Sequence, residues 1–158
     1  MRAERAEHLD ALLATWAREW TSGGLTGEIE HRDEPDARGD YHWLVRVPSE
    51  EKGVITIWWR LAQRRVHVEC ELLPTPEESH EALYRYLLTR NARLGVVHCA
   101  IGPEEGIYLV GAMDVAEVSV ARVDEVVAAC VTYVDEMYPT AMSIAHPRWY
   151  RRAPRRAK

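Results

Sequence analysis

Three runs rich in β-branched and aromatic residues stand almost end to end in the middle of the chain: Tyr41 to Val47, Val54 to Leu61 and Val66 to Leu73. Only short polar breaks separate them, and Ala62 to Arg65 is brief enough for a hairpin. Such runs must be neighbours in an antiparallel meander. Because side chains alternate across a strand, the pattern also assigns the faces. Trp43, Val45 and Val47, then Ile55, Ile57, Trp59 and Leu61, then Val66, Val68, Cys70 and Leu72, form the expected core side. Trp58 must point the other way, with Thr56 and Arg60.

Around the meander the pattern changes period. From Ala3 to Trp20, Leu9, Leu12, Leu13, Trp16 and Trp20 recur at helical spacing until Ser22, Gly23 and Gly24 stop the run. Leu25 to Arg32 alternates Leu25, Gly27 and Ile29 against Thr26, Glu28 and Glu30, which predicts a further strand. Asp33 to Asp40, with Pro35 and Gly39, is its turn. After the meander, Thr75, Pro76, Glu77 and Glu78 read as a capped helix start, with Leu83, Tyr86 and Leu87 continuing it and Asn91 and Gly95 marking the exit. Val96 to Ile101 and Ile107 to Met113 are two more strands, joined by Gly102-Pro103-Glu104-Glu105-Gly106. Ser119 caps a long helix carrying Val120, Val123, Val127, Cys130, Val131 and Val134, expected to end near Pro139.

The predicted order is α-β-β-β-β-α-β-β-α. With no strand-helix-strand repeat running through it, the class is α+β: an antiparallel sheet with helices mainly on one face. At 158 residues the chain can close one hydrophobic core. Six tryptophans and no phenylalanine mean that Trp supplies much of its aromatic content. Residues 1–147 are read as one domain and 148–158 as a basic, flexible tail in which Pro147 and Pro154 break any helix.

Charge divides the same way. After Glu136 there is no acid, while Arg148, Arg151, Arg152, Arg155, Arg156 and Lys158 leave 14 basic against 25 acidic residues in the body. Such a body repels nucleic acid, so a nucleic-acid accessory role would have to act through the tail. The opening residues lack the apolar run of a secretion signal, and no window is apolar over the roughly 20 residues that span a bilayer. A cytoplasmic location without membrane association is expected. Cys70, Cys99 and Cys130 are odd in number, widely spaced and set in apolar runs, as buried free thiols are.

Catalytic motifs fail. There is no Gly-rich phosphate loop and no nucleophile elbow, and Ser79 and His80 are adjacent on a helix, where side chains diverge. Glu69 and Glu71 share a strand face with His67, an arrangement that could serve acid-base chemistry but is also what a solvated face looks like. His42, His67 and His98 could share the outer face, and three imidazoles there would form a metal site if strand order allowed; local spacing fixes no pair of them. No enzyme and no cofactor are expected.

The outward Trp58 carries more information, because an aromatic on the outer face needs covering by a helix, a second subunit or a bound peptide. Leu44, Tyr108 and Val110 share its parity, so Leu44, Trp58, Tyr108 and Val110 are the candidate partner-binding residues.

One further clue is a resemblance. Leu87 to Gly95, reading Leu-Leu-Thr-Arg-Asn-Ala-Arg-Leu-Gly, then the hairpin with Ile107-Tyr108-Leu109-Val110-Gly111 and the helix from Ser119 to Tyr138, resemble the YbjN family. The likeness is strongest over Thr75 to Pro139. That family is described as bacterial sensory-transduction regulators with a fold like the type III secretion chaperones related to CesT. The resemblance implies a non-catalytic, dimeric protein that holds a polypeptide segment or regulates a partner. It supplies no catalytic residues. The amino-terminal half offers four candidate strands where the chaperone-like fold typically shows three, so Leu25 to Arg32 is either irregular or an added edge strand.

Overall fold

A computed structural model describes residues 1–22, 27–31 and 34–152. Its core is a six-stranded antiparallel sheet in the order β1-β2-β3-β4-β6-β5. The strands are β1 (Glu28–His31), β2 (Tyr41–Ser49), β3 (Gly53–Ala62), β4 (Arg65–Leu73), β5 (His98–Ile101) and β6 (Ile107–Asp114). The helices are α1 (Arg2–Ser22), α2 (His80–Asn91), α3 (Val120–Ala145) and α4 (Pro147–Arg152). The expected strand at Leu25 to Arg32 is therefore an added edge strand, with Leu25, Thr26 and Arg32 outside the described residues.

β2, β3 and β4 pair as the alternation requires. Trp43 faces Trp59 across one ladder, and Trp59 faces Val68 across the next. Every residue assigned to the core side of these strands is at most 2% exposed. Helix α3 lies along that side, touching β2, β3 and β4 and packing against α1, α2 and α4. Its core-facing Val123, Val126, Val127, Cys130, Val134 and Met137 are buried, so packing offsets the low helix propensity of the valines. Cys70 of β4 and Cys130 of α3 are neighbours in this layer, and that proximity with burial pushes the Cys130 thiol up. All three cysteines are buried free thiols.

The indoles are pinned as well as packed. Trp43 Nε1 donates to Asp10 Oδ1 of α1 at 3.1 Å, and Trp16 Nε1 of α1 donates to Asp124 Oδ1 of α3 at 3.1 Å. A buried indole N–H gains from such an acceptor, and here the two acceptors tie three elements together, whereas Trp59 Nε1 is buried with no hydrogen-bond partner among the described residues.

Three expectations at element ends fail, the first two for a tertiary reason. α2 starts at His80, not at Thr75: the Thr75 hydroxyl donates to the Glu104 carbonyl, and the amides of Glu77 and Glu78 donate to the Ala145 carbonyl. The local capping signals are thus spent on the end of α3 and on the β5–β6 connection. α3 does not stop at Pro139. That residue removes one helical hydrogen bond, but the following Ala141, Met142 and Ala145 are buried, which holds the last turns in place. Pro147, finally, opens α4 instead of preventing a helix, since proline suits the first helical position. Tyr150 of α4 packs against the core. The helix thus crosses the boundary expected at residue 147, while residues 153–158 of the expected tail, with Pro154, lie outside the described residues. Ser119 does cap α3, accepting from the Arg122 amide at 3.1 Å.

Candidate functional site

The helices gather on one side of the sheet, leaving the other face open. Register sets what lies on it. One row of paired residues runs Glu30, Leu44, Trp58, Glu69, Val110, His98 from edge to edge. A second runs His42, Arg60, His67, Ala112. In a third, Glu71 faces Tyr108 and Tyr108 faces Ala100. Trp58 is 40% exposed at the centre, although its neighbour Trp59 is fully buried.

Across these rows a shallow hollow of about 250 Å³ is lined by His42, Trp58, Arg60, His67, Glu69, Pro103 and Tyr108. Two units far apart in sequence build it: the β2–β4 meander supplies the floor, the β5–β6 connection supplies Pro103, and β6 supplies Tyr108. Glycines seat the Tyr108 ring. A Cβ on Gly102 would lie 2.3 Å from Tyr108 Cδ2, and one on Gly106 would lie 3.1 Å from Cε2. Only glycine lets the ring lie this close to the connection.

Most cations of the face are already paired. Arg60 Nη1 bonds Asp40 Oδ2 at 2.9 Å, with Asp40 itself buried. Arg46 bonds Glu30 at 3.2 Å, and His42 Nε2 bonds Asp36 Oδ2 at 2.8 Å. That bond, with the amides of Asp40 and Arg38, holds the Asp36 carboxyl down to about 2. Burial, then Arg60 and Arg65, push the His67 imidazole below its ordinary value, so it is neutral at pH 7. Tyr108 is pushed up by burial, then by Glu71, Glu69 and Glu104. Lys52 is pushed down by burial and donates to the backbone carbonyls of Glu71 and Leu72. Among the described residues the carboxylates of Glu69 and Glu71 make no ion-pair contact and accept no hydrogen bond.

Of the residues singled out in the sequence, Trp58 and Tyr108 line the hollow together. Leu44 and Val110 are half-buried beside it in the Trp58 row. His42 and His67 face the same side but are separated by Arg60 on the intervening strand, about 10 Å for two strand spacings. His98 lies on the edge strand in a different row. The three do not converge, and among the described residues no group of three or more His, Cys, Asp or Glu is placed to hold a metal ion. Arg60, Pro103 and the glycine seats were missed as site residues. The signal was the pair Gly102 and Gly106 in the turn just before Tyr108.

No helix among the described residues is long and apolar enough to cross a membrane. Similarity to known proteins agrees with the geometry. Solved structures share the fold across most of the chain. A chain of the heterodimeric ExoU–SpcU complex from the type III secretion system of Pseudomonas aeruginosa superposes with a TM-score of 0.53 at 14% identity, over 84% of this chain and 97% of that one. A chain of the ExsC–ExsE complex gives 0.53 at 13% identity, over 84% and 92%. At these identities the likeness is one of fold. Uncharacterized proteins of Mycobacterium leprae (ML2442) and Mycobacterium tuberculosis (Rv0487) are each 32% identical over 101 residues, 64% of this chain and 55% of theirs. The chain thus spans about half the length of these relatives. The YbjN family, described as "Putative bacterial sensory transduction regulator", matches residues 6–141. With that match running over most of its length, the chain belongs to the YbjN family.

Proposed function

We propose that the chain is a non-catalytic, chaperone-like protein that holds a polypeptide segment against the open face of its sheet and so regulates that partner. The observation that carries this reading is Trp58, 40% exposed at the centre of a sheet face that no helix among the described residues covers. Burying a large aromatic on contact is a strong source of association energy, and such residues concentrate at the centres of interfaces. The solved structures of similar fold come from complexes of two polypeptides, which supports a polypeptide as the occupant. A homodimer belongs to the same proposal, and Leu88, 68% exposed on α2, supports a separate self-association surface away from the Trp58 face.

Capture from native lysate, with the wild type and Trp58→Ala compared at matched circular dichroism, tests it. The variant is expected to lose the recovered protein by tenfold or more, about 1.4 kcal/mol or above. Undiminished recovery of the same protein by the variant would remove Trp58 from the interface. Light scattering on both forms separates the rival occupant, a second copy: a Trp58→Ala protein that turns monomeric without losing a partner would assign the face to dimerisation.

A further inference from the structure

If the open face holds a polypeptide, the hollow at its centre also selects what that polypeptide carries. Its walls are aromatic: the Trp58 indole on β3 and the Tyr108 ring on β6, with Pro103 closing one side. Its lining holds one carboxylate, Glu69, and its basic groups are engaged elsewhere, His42 with Asp36 among them. Arg60, the one fixed cation among its lining residues, is already bonded to the buried Asp40, and His67 is held neutral at pH 7 by burial and by neighbouring arginines. Glu69 stands between Trp58 and Val110 in the central row with neither an ion-pair contact nor a hydrogen bond among the described residues. Glu71 adds a second carboxylate one pair further along β4, opposite Tyr108. The Tyr108 hydroxyl registers both, since Glu71 and Glu69 hinder its ionisation.

An aromatic wall beside an unpaired carboxylate is the arrangement that attracts a cation, through the ring quadrupole and through charge. A bare anion would meet Glu69 and the carboxylate of Asp40. Arginine fits better than lysine, because its planar guanidinium stacks on rings while donating in the plane, and it is less strongly hydrated. We propose that the hollow between Trp58 and Tyr108 receives an arginine side chain from an extended segment of a partner polypeptide, with Glu69 as its counter-charge. This rests on the polypeptide-binding reading and adds the chemistry of the segment.

The test uses the whole chain and fluorescein-labelled extended peptides of Ser and Val that differ only in one central residue: Arg, Lys, Gln or Glu. Fluorescence anisotropy at low salt is expected to rank Arg above Lys above Gln, with Arg bound about tenfold more tightly than Gln. In Glu69→Gln the Arg advantage should shrink to about twofold or less while the Gln peptide binds as before. Equal binding of the Arg and Gln peptides, both weakened by Trp58→Ala, overturns the arginine assignment and leaves the binding face standing. Tightest binding by the Glu peptide overturns it too, in favour of Arg60 as the reader. If N-acetylarginine amide binds as tightly as the Arg peptide, the occupant is a small cation and the polypeptide assignment falls. Should no peptide bind at about 1 mM, the arginine assignment falls, and partner capture by the Trp58→Ala protein then decides whether the face falls with it.

Discussion

Trp58 and Trp59 are consecutive in β3 and chemically identical, yet they belong to different molecules in energetic terms. Trp59 is sealed under α3 between Trp43 and Val68, whereas Trp58 lies open between Leu44 and Glu69. The inner face is a continuous apolar layer in which every residue is wedged by several others. The outer face is a mosaic: paired ions at its rim, an aromatic hollow in the middle, and, among the described residues, carboxylates in no close ion pair. The first arrangement makes the fold and tolerates little change. The second contributes little to folding, so its residues are available for recognition.

Truncation should separate the two most strongly. Trp59→Ala is expected to lose about 3–5 kcal/mol, and Trp58→Ala about 1 kcal/mol or less. Urea denaturation of the two variants checks this; equal losses would mean that the outer face is structural and would break the contrast. A smaller effect should come from the seat of Tyr108. Gly102→Ala forces the ring away from the connection and should lose about 1 kcal/mol, the low end for overpacking because the ring is only half-buried. In a Tyr108→Ala background the same change should be nearly neutral, and a stability cycle over the four proteins reads the coupling directly.

The smallest effect concerns the turn that props the hollow's rim through Asp36 and His42. With its carboxyl held down to about 2, below the ordinary 3.8, Asp36 favours the folded state above pH 3.8, and that contribution is lost as pH falls through about 2. The stability gap between wild type and Asp36→Asn should therefore be constant near neutrality and close between pH 4 and 2. A gap that persists at pH 2 would show that charge on Asp36 is not what orders the turn.

The inner face was legible because a period of two needs no knowledge of neighbours: the residues from Trp43 to Leu72 that alternate as apolar are the ones buried. Trp58 and Tyr108 were placed on the outer face by the same logic. Their meeting was not readable, because it depends on β6 pairing with β4, a contact made across the whole of α2 and β5. The hollow is built by strand order, and strand order is not a local property. His42, His67 and His98 illustrate the same limit in reverse, since shared parity put them on one face and register kept them apart. At Thr75 and Pro139 local signals pointed one way and burial or a distant carbonyl decided otherwise.

The link from α1 to α3 through Trp16 and Asp124 has a consequence for synthesis. The meander is complete at Leu73, but the helix that covers its apolar side begins at Val120, almost fifty residues later. At about 5–20 residues per second, the ribosome leaves Trp43 and Trp59 without their lid for several seconds. Until α3 emerges, α1 lacks the Asp124 carboxylate that ties Trp16 to the finished core. A nascent chain halted in this interval would expose aromatic side chains that the finished fold buries, a state prone to aggregation.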